Sequence, residues 1–332
     1  MQKIDAINTY CICFGSLWSV VEMTSNKPSV GIILAFVCLF ILGIMPVISN
    51  SRPLEFSALS FAFFLSAWQL VFSLPLFVGE LRTANKGIFS AYLPPRQKRL
   101  TIIIILLTGI IFGLSTYIYV LAVEKAGAVS AAIAIQAYPL FAILWETIFL
   151  KRSKSPLELA FTFLLLGALY YLATNGTWHI IGFSLWFIFA LGIPFLWSVA
   201  HVIIRQVLGQ TPITPAQVTF FRVLISSIFL LIVLFGVAGA DNIIKDLGNF
   251  SFQKIALLMG LVYYLELIIW FYAMRYIDVS VASSITVPAP ALTMVLAIAF
   301  LNERVEAYQL ITLCLVILSV FGLIFAGKKR AV

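Results

Sequence analysis

Three charged side chains sit where nearly every neighbour is apolar. Glu266 lies in YYLELIIW, Arg222 closes PAQVTFFR, and Glu146 falls in LFAILWETIFL. A charge held at depth in an apolar stretch is costly and is usually retained for a task. Glu266 can carry a proton or hold a substrate amine. It can equally serve as a structural carboxyl bonded to a neighbouring helix. Arg222 and Glu146 fall at similar depth in the inner third of their segments. Together they would form a cytoplasmic gate pair or a static strut; alone, each could reach the interface. The motifs of other chemistries are missing. The chain has no HExxH, GxSxG or GxxxxGK[ST], so an enzyme active site and ATP drive within this chain are not expected. His179 and His201 lie far apart without thiol or carboxylate neighbours, and Cys11, Cys13, Cys38 and Cys314 are scattered. No metal, cofactor or disulfide framework is expected.

The elements that must position these residues are apolar helices. Of 332 residues, 62% are hydrophobic and 10% charged, against about 25% charged in soluble domains. A soluble core could not bury so much apolar surface, so the chain is expected to face a lipid bilayer. Runs such as TIIIILLTGIIFGL (101–114) do not alternate as barrel strands would. The fold class expected is therefore all-α and polytopic. Ten spans are read at 30–49, 57–78, 101–122, 127–150, 157–174, 180–204, 214–237, 252–274, 277–301 and 306–326. The net charge of +8 lies in loops and forms no basic stripe, so no nucleic-acid partner is expected. With both termini in the cytoplasm, fifteen Lys and Arg fall inside, five outside, and Arg222 within a span, a strong positive-inside bias. Residues 1–29 form a cytoplasmic segment. Its apolar stretch Tyr10–Val21 resembles a signal core without a cleavage site. Met23 is an alternative start. Residues 327–332 form a basic tail.

Prolines interrupt the fourth span at Pro139 and the ninth at Pro288 and Pro290. A shift of 151 residues lays 119–150 over 270–301 and brings Pro139 onto Pro290, Ala131 onto Ala282 and Gly109 onto Gly260. Five spans followed by five place the second half upside down. The chain is thus expected to form two inverted five-helix repeats, 30–174 and 180–326, with a site near the midplane at the broken helices. Proline frees a backbone carbonyl, which in lipid must be satisfied by protein or trapped water. Gln136 and Tyr138 flank the first interruption; Ser283, Ser284 and Thr286 precede the second. They are cavity-lining candidates, or ordinary helix–helix glue. Trp197, Trp68 and Gln69 are placed deep enough to suggest a cavity wall. His201 and Arg205 are placed at the interface, at the end of the sixth helix. Gly109 and Gly113 permit close helix contact.

Several stretches carry a family resemblance. AFLNERV (299–305) resembles the end of the ninth helix in EamA-type members of the drug/metabolite transporter superfamily. WFYAMRYIDVSVASSITVPAPAL (270–292) is similar to their eighth-to-ninth junction, and PAQVTFFR to the start of their seventh helix. The first half departs from the pattern, with Lys151-Arg152 opposite Asn302-Glu303. Glu303 is therefore read as an outer-edge capping residue. The resemblance implies a bacterial inner-membrane exporter of small metabolites, amino acids among them. Its expected partners are a small-molecule substrate and the bilayer, with a homodimer left open. The alternatives are a flippase for lipid-linked substrates, an intramembrane enzyme, or an assembly subunit.

Overall fold

The computed structural model describes residues 28–82, 87–89, 92–138, 140–141, 144–145, 155–179, 184–277 and 279–328. Among them the chain is helical, with no strand. The helices are α1 (Pro28–Asn50), α2 (Ala58–Leu81), α3 (Pro95–Ala126), α4 (Ala128–Ile135), α5 (Pro156–Ala173), α6 (Leu185–Gln210), α7 (Pro215–Gly248), α8 (Phe250–Tyr276), α9 (Val279–Thr286), α10 (Ala289–Leu301) and α11 (Ala307–Lys328). Seven of them (α1, α2, α3, α5, α6, α7 and α8) are long and apolar enough to cross a membrane. α10 and the apolar stretch Ala307–Leu323 are shorter. Large apolar side chains such as Phe163, Phe300 and Ile33 are exposed on the outside of the bundle. An exterior this apolar is solvated by lipid.

The two segments around Pro139 and Pro288–Pro290 are broken, whereas Pro46, Pro75 and Pro194 lie inside unbroken helices. α4 ends at Ile135, residues 136–137 form a turn, and Tyr138 is helical again. α9 ends at Thr286, residues 287–288 form a turn, and α10 follows. The backbone tightens at each turn to i→i−3 bonds. Leu140 N–H donates to the Ala137 carbonyl and Ala291 N–H to the Pro288 carbonyl, both at 2.9 Å. These pairs are 151 residues apart (291 − 140 and 288 − 137), as are the ends of α4 and α9 (279 − 128 and 286 − 135). Pro139 and the N-terminal residues 1–27 lie outside the described residues.

The same shift lays α3 on α8, α1 on α6, α2 on α7 and α5 on α11. The packing follows it. α3 packs on α6 and α7, and α8 packs on their counterparts α1 and α2. The α2–α7 and α5–α11 contacts are each their own counterpart. Small residues let these backbones approach. A Cβ at Gly109 would lie 2.6 Å from Ile225 of α7, and one at Gly260 2.8 Å from the Leu65 carbonyl of α2. Ser226 Oγ donates to the Gly109 carbonyl at 2.7 Å. The close contact expected of Gly109 is thus a seam between α3 and α7.

Several boundaries differ from the sequence reading, those of α3 and α7 among them. α3 begins at Pro95, not 101, because Pro95 sits at the first helical position, where its missing N–H costs nothing. α7 runs past 237 to Gly248 through a kink at Gly239 (φ +75°). Its last turns expose Ile244 and Leu247, while Asp246 accepts a hydrogen bond from Ser60. That amphipathic extension suits a membrane surface.

Gly109→Ala and Gly260→Ala are each expected to cost about 1–3 kcal/mol, whereas Gly236→Ala, with open space around it, is expected to cost nothing. Thermal unfolding of the purified protein in detergent checks both expectations.

Candidate functional site

The deepest charge is placed by a well-anchored helix start. Thr214 caps α7 in a reciprocal box with Gln217, and Pro215 occupies the first helical position. Gln217 is fully buried and also accepts from the Ile88 backbone N–H at 3.1 Å. Two turns further on, Arg222 is only 3% exposed. On α8, Tyr263, Glu266 and Trp270 recur at helical spacing and are all buried. α3 contributes Phe112, Thr116 and Tyr119, and α6 contributes Trp197 and His201, again on one face each.

These faces converge. The Arg222 guanidinium lies over the Phe112 ring, 3.5 Å from its centroid, a cation–π geometry. It hydrogen-bonds Tyr263 and interacts electrostatically with Glu266. The Tyr263 hydroxyl lies 3.5 Å from that of Thr116. The Glu266 carbonyl accepts from the Cys38 thiol of α1 at 3.7 Å. The gate partner expected for Arg222, Glu146, lies outside the described residues. Within them, Arg222 faces Tyr263 and Glu266.

His201 requires a correction. It is buried, not interfacial, because α6 continues nine residues beyond it to Gln210. Five rings surround it: Phe112 at 5.3 Å, Trp270 at 5.7 Å, Tyr138 at 6.0 Å, Phe271 at 6.2 Å and Trp197 at 6.4 Å. Several buried atoms of this cluster have no partner among the described residues: Arg222 Nε and Nη1, His201 Nδ1, Trp270 Nε1 and the Tyr119 hydroxyl. Unpaired buried donors are expensive, and a native core keeps few of them.

Tyr119 joins this cluster to a small cavity. Its ring lies 6.3 Å from that of Tyr263, and it lines a cavity of about 20 Å³ with Pro46, Gln136, Trp197, Pro290 and Thr293. That is room for about one water molecule. Both helix breaks thus border one space, through Gln136 and Pro290. Trp197 is fixed by donating to Ser115 at 3.1 Å. The structure therefore brings together Gln136, Trp197 and Pro290 at the cavity, and Glu266, Arg222 and Tyr138 around the cluster. Thr286 is buried, but its hydroxyl donates to the Ser283 carbonyl at 2.9 Å within its own helix. Sequence reasoning missed Tyr263, Tyr119 and Trp270 and misplaced His201. The one available signal was the helical spacing of Tyr263 and Trp270 from Glu266 and of His201 from Trp197; Tyr119, on another helix, carried none.

At the other end of the broken segments, Glu303 does cap a helix. Its carboxylate accepts from the backbone N–H groups of Ala128 and Val129 at 3.3 and 3.4 Å. These are free amides at the start of α4, whose N-cap, Gly127, has no side chain. Gly127 is held at φ +83°, and a Cβ there would lie 2.8 Å from Glu303 Oε1. Nearby, Arg52 pairs with Glu124, which also pairs with Lys125.

A family model described as "EamA-like transporter family" matches residues 29–174 and 184–325. No curated protein sequence matches the chain. A solved structure described as "Crystal structure of protein" is 14% identical, covers 90% of this chain and 98% of its own, and superposes with a TM-score of 0.60. At that identity it speaks to the fold alone.

Glu303→Ala is expected to lower stability by about 0.5–2 kcal/mol, as loss of a helix cap does. Gly127→Ala is expected to be destabilising too. The double variant is expected to cost less than the sum, since both changes break the same contact. A double-mutant cycle in thermal unfolding reads this directly.

Proposed function

The chain belongs to the EamA-like transporter family, and from that premise we propose that it is a secondary transporter that exports small metabolites, amino acids among them, by alternating access around a midplane site. Members of this family are transporters and not enzymes. The carrying observation is the buried Arg222–Tyr263–Glu266–His201 cluster beside a cavity bordered by both helix breaks. A charged, incompletely satisfied core is costly in lipid, and a passing solute gives it a use.

In this proposal the chain comprises ten spans in two inverted halves, 30–174 and 180–326, with both termini cytoplasmic in a bacterial inner membrane. The positive-inside count supports the orientation. The counterpart packing of α3 and α8 supports the inversion. Each end of the bundle carries polar contacts between the halves. On the outer side, Glu303 holds the start of α4, Gln309 donates to Ser130 at 2.9 Å, and Trp68 donates to Gln253 at 2.9 Å. On the inner side, Thr214 donates to Glu80 and Gln97 to the Gln210 carbonyl. With both sets made and room for one water between them, the fold is occluded. Opening either mouth breaks one set and keeps the other.

Efflux from proteoliposomes loaded with a pool of amino acids and other small metabolites tests the proposal, with and without a pH gradient. The parent protein is expected to empty the pool selectively, and Glu266→Gln to slow efflux by about tenfold or more. A folded protein that moves no member of the pool would overturn the export reading. Efflux untouched by Glu266→Gln would leave transport standing and return Glu266 to a structural role.

A further inference from the structure

We propose that Arg222 is the anchor for the anionic group of the carried solute, and that the solute class is a small organic carboxylate with a flat apolar body. The inference rests on the transport reading and narrows it.

The argument starts from which groups of the cluster are unspent. Arg222 Nε and Nη1 and Trp270 Nε1 are buried without partners among the described residues. A guanidinium and an indole N–H can only donate. The group that satisfies them must accept, and a carboxylate accepts through two oxygens with the strongest charge-assisted bonds available to arginine. Charge sets the valence. The buried Lys and Arg residues among the described residues are Arg52 and Arg222, and Arg52 is already paired with Glu124 at the outer end. The single positive charge of Arg222 balances one monoanion, provided that Glu266, its partner in the empty protein, is protonated when the solute is bound. A dianion such as a phosphate monoester would bring an uncompensated charge into low dielectric.

The walls set the shape of the rest of the solute. Phe112 lies under the guanidinium, and Trp270, Trp197 and Tyr138 ring the adjoining His201. Aromatic faces favour a flat apolar partner. Glu266 interacts with Arg222 across the core, so it acts as the built-in counter-ion when no solute is bound. An incoming carboxylate takes that place as Glu266 takes up a proton from the open side, so that no unpaired charge stays buried.

The test is binding to the full-length protein in detergent, by isothermal titration calorimetry, with three probes of one shape: benzoate, benzamide and benzylamine. Benzoate is expected to bind at least tenfold tighter than the other two. Glu266→Gln removes the competing carboxyl and is expected to tighten benzoate severalfold. The double variant Arg222→Gln/Glu266→Gln keeps the core neutral, so that it folds, and is expected to erase the benzoate preference. Equal binding of the three probes overturns the proposal. So does a preference for benzylamine, a preference surviving in the double variant, or no benzoate binding at about 10 mM, a concentration at which even weak sites fill. Proteoliposomes that export amines or neutral solutes but exclude carboxylates sink this proposal and leave the transport reading intact. Benzoate binding without export of any solute does the reverse.

Discussion

Arg222 carries a charge in a place where no bulk water can solvate it, and much of the bundle is arranged around that constraint. The α7 cap fixes where the side chain enters the core. α3 brings Phe112 beneath it, α8 brings Tyr263 and Glu266 beside it, and α6 encloses the neighbouring His201. Each of these helices must pass within a side chain's reach of the others. Glycines at the seams make that approach feasible, at 109 against α7 and at 260 against α2. Helix association in lipid gains little from the hydrophobic effect, so close packing and polar satisfaction carry the load together.

The two breaks obey the same constraint for the backbone. A helix interrupted in hydrocarbon exposes polar groups that lipid cannot satisfy. Here each interruption tightens locally to i→i−3 bonds and turns toward one shared cavity. Their correspondence at 151 residues extends from proline placement to hydrogen bonds and to helix partners. A repeat with few identities in its sequence is thus preserved as a pattern of contacts.

Much of the fold was legible in the sequence because membrane thickness imposes a length on apolar runs and because prolines matched across the two halves pick out the runs that break, while Pro46, Pro75 and Pro194 stay inside unbroken helices. The class and the two broken segments were readable that way; the Gly109 seam was readable from its spacing to Gly113, and the capping role of Glu303 from the departure of Lys151-Arg152 in the other half from the family pattern. The extra turns of α7 were not, because Gly239 is an ordinary loop signal, and only the fold shows the helix resuming beyond it. Glu266 and Arg222 stood out as charges in apolar text. His201, Tyr263 and Trp270 did not, since aromatic residues in a span read as lipid-facing or packing groups until a neighbouring helix gives them a charged partner. That partnership joins residues from α3 to α8, more than a hundred positions apart, and no local spacing encodes it.

The carboxylate of Glu303, just past the end of one broken segment, reaches the first turn of the other. A cap is ordinarily a matter internal to one helix. Here the cap is lent across the molecule, so the start of α4 and the end of α10 share a fastener. If they separate, the α4 amides lose their acceptor at the same moment that a carboxylate loses its donors. The contact therefore works like a clasp whose two sides depend on each other, and it ties together two broken segments drawn from opposite halves of the chain.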